Sequence, residues 1–132
     1  MGLKAVDHRG TTVVACSTCR HPADGKGRPG GARLAEALRR VGSDPAYADV
    51  TVAEMACLFA CAESCTVQVG APDKIGYVMG RFTPDVDAAG AILDYARAHA
   101  ASAWGEVPFG DWPDGVKGHF ITRHVPPGYV VE

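Results

Sequence analysis

Five cysteines fall in two short stretches, Cys16-Ser-Thr-Cys19 and Cys57-Leu-Phe-Ala-Cys61-Ala-Glu-Ser-Cys65, and nowhere else in the 132 residues. Two close thiols in a short loop can turn onto one metal ion or one iron of a cluster, and two such loops at neighbouring strand ends can meet in space. A free cysteine acting as a small buried hydrophobe accounts for one scattered thiol, not for five confined to two loops. Five is also an odd number that cannot all pair within one chain, and a reducing compartment keeps thiols free unless a metal or catalysis uses them. A disulfide framework is therefore the weaker reading, and the spacing predicts a metal centre. Tetrahedral thiolate sites suit both zinc and iron-sulfur clusters, so spacing alone leaves the two nearly even.

The segments around the cysteines read as a compact α/β unit. Thr11 to Ala15 is β-branched and apolar, which suits a buried strand running into Cys16. His21 to Gly31 carries four glycines and two prolines and reads as a loop. Leu34, Ala37, Leu38 and Val41 then recur at helical spacing with Arg33, Glu36, Arg39 and Arg40 on the other faces, an amphipathic helix closed by Gly42. Beyond Ser43 to Ala46, the alternation at Val50 and Val52 predicts a second strand leading to Cys57. Thr66 to Val69 and Ile75 to Met79 flank a Pro-Asp turn and predict an antiparallel hairpin. Thr83 as N-cap, Pro84 in the first turn and an apolar stripe through Val86, Ala89, Ile92 or Leu93, Ala96, Ala100 and Ala103 predict a second helix. From Trp104 onward, Pro108, Pro113, Pro126 and Pro127 forbid long regular elements, and Trp104, Phe109, Trp112, Phe120 and Ile121 are available to pack this tail onto the core. One parallel crossover and one antiparallel pair make a mixed sheet with flanking helices the simplest architecture. A thioredoxin-like fold over residues 1–103, wrapped by an irregular C-terminal tail over 104–132, meets that order.

Charge and hydropathy narrow the function classes. Thirteen Lys and Arg against fifteen Asp and Glu give a net charge of −2, without the basic excess that nucleic-acid binding uses. Lys4, Asp7, His8 and Arg9 interrupt Met1 to Ala15, so this stretch is neither a signal peptide nor a membrane span, and we read the chain as cytoplasmic.

Two resemblances choose among the metals. A strand entering an early cysteine pair, a helix, a strand, then Cys57-Leu58-x-x-Cys61 before a hairpin and helix resembles the thioredoxin-like [2Fe-2S] ferredoxins. That resemblance implies Cys16, Cys19, Cys57 and Cys61 as ligands, although the early pair is spaced more closely here and Cys65 falls where that group often has proline. A second covers nearly the whole chain. Cys16-x-x-Cys19-Arg20, the Gly-rich loop, Cys57-Leu58-x-x-Cys61-x-x-x-Cys65-Thr-Val, Gly76-Tyr77-Val-x-Gly80, Asp87-Ala88 and Arg-x-x-Pro126-Pro127 resemble an uncharacterised bacterial family. It is a family of predicted metal-binding proteins often encoded beside cobalamin-synthesis or cobalt-handling genes, which implies a metal site and a link to corrinoid metabolism.

The expected function is electron transfer through one [2Fe-2S] cluster between a reductase and an acceptor, with no substrate turnover. The alternatives are a zinc- or cobalt-binding protein that delivers or senses metal, and a thiol-disulfide oxidoreductase using Cys16 and Cys19. The last ranks third because a Gly-rich loop, not a helix, follows the first pair. A partner protein is implied, and a homodimer is allowed. Cys65 is expected to be the spare thiol. A single helical turn presents Cys57 and Cys61 on one side with Leu58 and Phe59 toward the core, while a strand from about Cys65 turns its thiol elsewhere. Cys65 replacing one of the four is the alternative set. His21 is a lesser candidate ligand, and Arg20, Lys26, Arg28 and Arg33 form either a solvated loop or a surface for an acidic redox partner. Glu63 stands beside the thiols without a partner carboxylate.

Overall fold

A computed structural model describes residues 2–6 and 10–132. The reading of Asp7, His8 and Arg9 as breaks in the N-terminal stretch lies outside the described residues. The chain forms strand β1 (Thr11–Cys16), helix α1 (Gly30–Gly42), β2 (Val50–Met55), β3 (Val67–Gly70), β4 (Gly76–Met79), helix α2 (Val86–Ala101) and β5 (Phe120–His124). The strands make one mixed sheet in the order β2-β1-β3-β4-β5, parallel between β1 and β2 and antiparallel elsewhere.

The two helices touch each other and both touch β1 and β2, so they cover the same face of the sheet. Thr11, Val13 and Ala15 alternate inward from β1, an interior strand, and Val13 and Ala15 share one core with Leu34 and Leu38 of α1, Ile92 and Leu93 of α2, and Val67 and Val69 of β3. Burying a side chain such as Leu38 completely contributes roughly 1.5–3 kcal/mol. One buried polar node crosses this core. His99 of α2 accepts from the Thr11 hydroxyl at Nδ1 (2.7 Å) and donates from Nε2 to the Ile75 carbonyl (2.7 Å), which satisfies both ring nitrogens of a neutral imidazole.

Three details differ from the sequence reading. Helix α1 begins at Gly30, inside the expected loop, because the Asp24 carboxylate reaches forward to accept the Gly30 N–H (2.6 Å) and caps the first turn from six residues upstream. Helix α2 is capped by Asp85, not Thr83: its carboxylate accepts the Ala88 N–H at 2.8 Å, and the acid outcompetes the earlier threonine. Its buried face runs through Ala89, Ile92, Leu93, Tyr95, Ala96 and His99, while Val86 and Ala103 are exposed.

The third difference is the tail, which is not irregular throughout. Two short 3-10 turns, Phe109–Asp111 and Asp114–Val116, lead into β5, which extends the sheet beside β4. The proline-free stretch between Pro113 and Pro126 leaves β-branched and aromatic residues free to pair. Phe120 meets Tyr77 (5.5 Å between centroids), Tyr95 (5.2 Å) and Trp112 (4.6 Å), and the Trp112 indole donates to the Val107 carbonyl (2.8 Å). Trp112 is the expected anchor, whereas Trp104 is 62% exposed and is held through its backbone, its carbonyl accepting the Ile75 N–H (2.8 Å) just before β4.

Candidate metal centre

Because β1 and β2 are parallel neighbours with Cys16 opposite Met55, the loops that follow them leave the same end of the sheet side by side. Ser17 ties the two together, donating to the Met55 carbonyl from its N–H (2.9 Å) and from its hydroxyl (3.2 Å). The Cys16 N–H donates to the Thr66 carbonyl (3.1 Å), which draws in the approach to β3. All five cysteines thus belong to segments that converge on one sheet edge.

In the first loop the Cys19 thiol donates to Cys16 Sγ at 2.8 Å, well beyond the about 2.05 Å of a disulfide. Both thiols are buried, and Cys19 Sγ also lies 3.2 Å from the Thr66 hydroxyl. Burial alone would push the Cys16 thiol up, but hydrogen bonds from Cys19, the Leu58 N–H and Thr18 bring it down to about 7. Cys19 is raised by burial and by donating to Cys16. Helix α1 packs directly under this turn: Gly31 donates to the Cys19 carbonyl (2.8 Å), and a Cβ at Gly31 would collide with the Cys16 carbonyl oxygen. The Gly-rich loop between them is pinned by Asp24, whose carboxylate accepts from His21 N–H (2.7 Å) and Gly30 N–H and pairs with Arg33. Burial opposes its charge, yet those donors hold the carboxyl below the usual range.

The second loop is not the expected helical turn. Cys57 and Phe59 adopt left-handed backbone, with φ of 61° and 57°, before a 3-10 turn over Cys61–Glu63. A helix would direct these amides at carbonyls. Here the Phe59 N–H donates to Cys57 Sγ (3.3 Å) and the Leu58 N–H reaches Cys16. These amide-to-sulfur bonds offset a local backbone cost of roughly 1–3 kcal/mol per residue. The same conformation turns Phe59 outward to 96% exposure, so it does not face the core. Cys57 and Cys61 lie with their sulfurs 3.7 Å apart. A thiolate-metal bond of about 2.3 Å gives a tetrahedral edge of about 3.8 Å, so this pair already has the separation of two ligands on one metal.

Cys65 points elsewhere. Strand β3 starts at Val67, two residues later than expected; the Thr66 carbonyl still accepts from Cys16 in the β1–β3 register, and the Cys65 carbonyl accepts from Phe82 (3.5 Å). The Cys65 thiol is fully buried against the first residue of α1, where a Cβ at Gly30 would approach its sulfur to 2.9 Å. Burial, with the charges of Cys19 and Asp24 behind it, pushes this thiol up to about 12.

The structure thus brings Cys16 to Cys19 and Cys57 to Cys61 as two pairs, with Cys65 behind the first. Among the described residues, no three His, Cys, Asp or Glu side chains converge as they would on a single ion. His21 Nδ1 accepts from the Ala23 N–H (3.1 Å) within its own loop. Glu63 is held by Arg81 (2.6 Å). Arg81 is the residue that sequence reasoning missed. Itself left-handed at φ 63°, it donates its N–H to the Glu63 carbonyl (2.7 Å) and its guanidinium to the Gly118 carbonyl (2.5 Å), tying the second cysteine loop to the tail. Nothing in the sequence marks an arginine for such a conformation.

The fold is shared with a structure of a thioredoxin-like [2Fe-2S] ferredoxin from Aquifex aeolicus, 21% identical over 92% of this chain and 99% of that one, with a TM-score of 0.54. A crystal structure of the wild-type thioredoxin-like [2Fe-2S] ferredoxin from Aquifex aeolicus matches at 20% identity, over 86% and 98% of the two chains, with a TM-score of 0.51. At these identities the likeness establishes a thioredoxin-like fold. No curated protein matches the chain. A family model does, over residues 13–127, and the chain belongs to that family, described as a protein of unknown function (DUF1636).

Proposed function

We propose that the chain carries one [2Fe-2S] cluster and transfers single electrons between a reductase and an acceptor in the cytoplasm. The observation that carries this reading is the arrangement of four thiols as two close pairs, Cys16 with Cys19 and Cys57 with Cys61, on adjacent loops at one sheet edge. Two pairs suit a centre of two metals, each taking two thiolates, better than a single zinc or cobalt ion that draws all four to one point. The four cysteines would hold the cluster, which supplies one-electron redox chemistry when bound.

The surrounding residues fit that task. Amide donors from Leu58 and Phe59 stabilise negative charge on Cys16 and Cys57, and such bonds raise a cluster's reduction potential. The thioredoxin-like fold shared with the [2Fe-2S] ferredoxins supports the reading, and the sequence resemblance to a family often encoded beside cobalamin or cobalt genes makes a corrinoid or cobalt pathway the first place to seek partners. No helix among the described residues is long and apolar enough to cross a membrane.

The short Cys16–Cys19 contact and the lowered Cys16 thiol favour a second reading, a thiol-disulfide oxidoreductase. Against it, Cys16 and Cys19 are 1% and 4% exposed, so neither offers a sulfur to a protein disulfide. Spectroelectrochemistry on anaerobically purified protein separates the two: a visible band that bleaches reversibly with one electron is expected. A colourless protein that titrates with two electrons per chain would establish the dithiol instead.

A further inference from the structure

Phe59 stands at the tip of the second cysteine loop with 96% of its surface open, and Met55, opposite Cys16 at the end of β2, is 45% open. The same loop carries the exposed Cys61. A large aromatic held in water beside a redox centre is the usual composition of an interface anchor.

The charge around it is one-sided. The loops 16–31 and 56–65 contain two carboxylates, Asp24 and Glu63, and each is neutralised by an arginine, Arg33 and Arg81. The same loops contain Arg20, Lys26 and Arg28. Arg28 pairs with Glu36. The Arg20 guanidinium instead donates to the Gly27 carbonyl (3.0 and 3.1 Å), and its own carbonyl accepts from the Ser64 hydroxyl, which sets it beside the second loop. Among the described residues, neither Arg20 nor Lys26 forms an ion pair. A chain of net charge −2 therefore carries two cations without ion pairs in the loop that follows its first thiol pair, Arg20 beside the second loop and Lys26 next to the Gly27 that Arg20 clasps.

Resting on the electron-transfer reading, we propose that the apolar tip of Phe59 and Met55, rimmed by Arg20 and Lys26, is the docking surface for an electron-carrier protein with an acidic face. Opposite charge steers the two redox groups together, and the aromatic fills an apolar recess on the partner.

The test titrates the full chain, in the metal state in which it is isolated, with an acidic flavodoxin by calorimetry, with iron and sulfide measured on the same sample. Binding at low ionic strength is expected to weaken about tenfold with Lys26→Glu, and similarly in about 0.3 M salt. Phe59→Ser is expected to weaken it about threefold. The Lys26 side chain is exposed and forms no hydrogen bond or ion pair among the described residues, so its reversal leaves the fold intact. Absence of binding at low salt, or binding indifferent to salt and to both substitutions, overturns the docking surface whatever the metal content. Charge-dependent binding by a sample that lacks iron and sulfide supports the surface and overturns the electron-transfer reading alone.

Discussion

At the scale of single residues, Cys65 and His99 make the sharpest claims. Cys65 is fully buried against Gly30 of α1 and stands outside the two close pairs, Cys16 with Cys19 and Cys57 with Cys61. Cys65→Ser is therefore expected to keep iron and the visible spectrum, whereas serine at Cys16, Cys19, Cys57 or Cys61 loses or badly disturbs both; retention in Cys19→Ser with loss in Cys65→Ser would reverse the assignment. His99 gives a pH dependence whose sign follows from its environment. Burial lowers its pKa against the opposing Ile75 hydrogen bond, with Lys74 and His124 adding to the lowering. The folded chain thus keeps a neutral imidazole while the unfolded chain takes up a proton near pH 6.5, and stability falls as pH drops below that value. The slope from this one residue is at most about 1.4 kcal/mol per pH unit. Urea midpoints between pH 7 and 5 check it: the slope should flatten in His99→Gln, and an unchanged slope would locate the proton elsewhere.

At the scale of elements, the chain's periodicities are enough to read β1, β2, the β3–β4 hairpin and both helices, because hydrophobic spacing reports burial directly. The cysteine pairs are legible for the same local reason. The rest depends on loop bonds that carry no periodic signature, some of them between residues far apart in sequence. Asp24 capping α1 and the Phe59 amide turned to Cys57 Sγ are irregular bonds within one loop, while the Leu58 amide at Cys16 and Arg81 bridging Glu63 to Gly118 exist only once separate segments have met. The helical turn expected at Cys57 fails for that reason, since helical spacing there competes with amide-to-sulfur bonds that no local pattern announces. Two expectations belong here. Gly31→Ala drives a methyl into the Cys16 carbonyl and should cost roughly 1–3 kcal/mol in urea unfolding while lowering metal content; a neutral effect would mean that α1 does not set the first loop. Hydrogen exchange should show residues 16–31 and 57–65 more protected with metal than without it, while the sheet core is unchanged, and equal protection in both forms would refute metal ordering of the loops.

At the scale of the molecule, the tail completes a scaffold that holds the thiols at one edge. Phe120 and Trp112 join Tyr77 and Tyr95 in one aromatic cluster, and β5 closes the sheet beside β4. Phe120→Ala should cost about 2–3 kcal/mol, less than a fully buried aromatic because Phe120 is only half-buried, whereas Trp104→Ala should stay within about 0.5 kcal/mol. Thermal or urea melts of the two variants check the contrast, and equal losses would contradict the assignment of Trp112 and Phe120 as the anchors. The central claim is that this scaffold presents two thiol pairs to a two-iron centre. Metal and acid-labile sulfide analysis of protein purified without air tests it most directly. The account predicts about two irons and two sulfides per chain, and zinc at about one per chain without sulfide would contradict it.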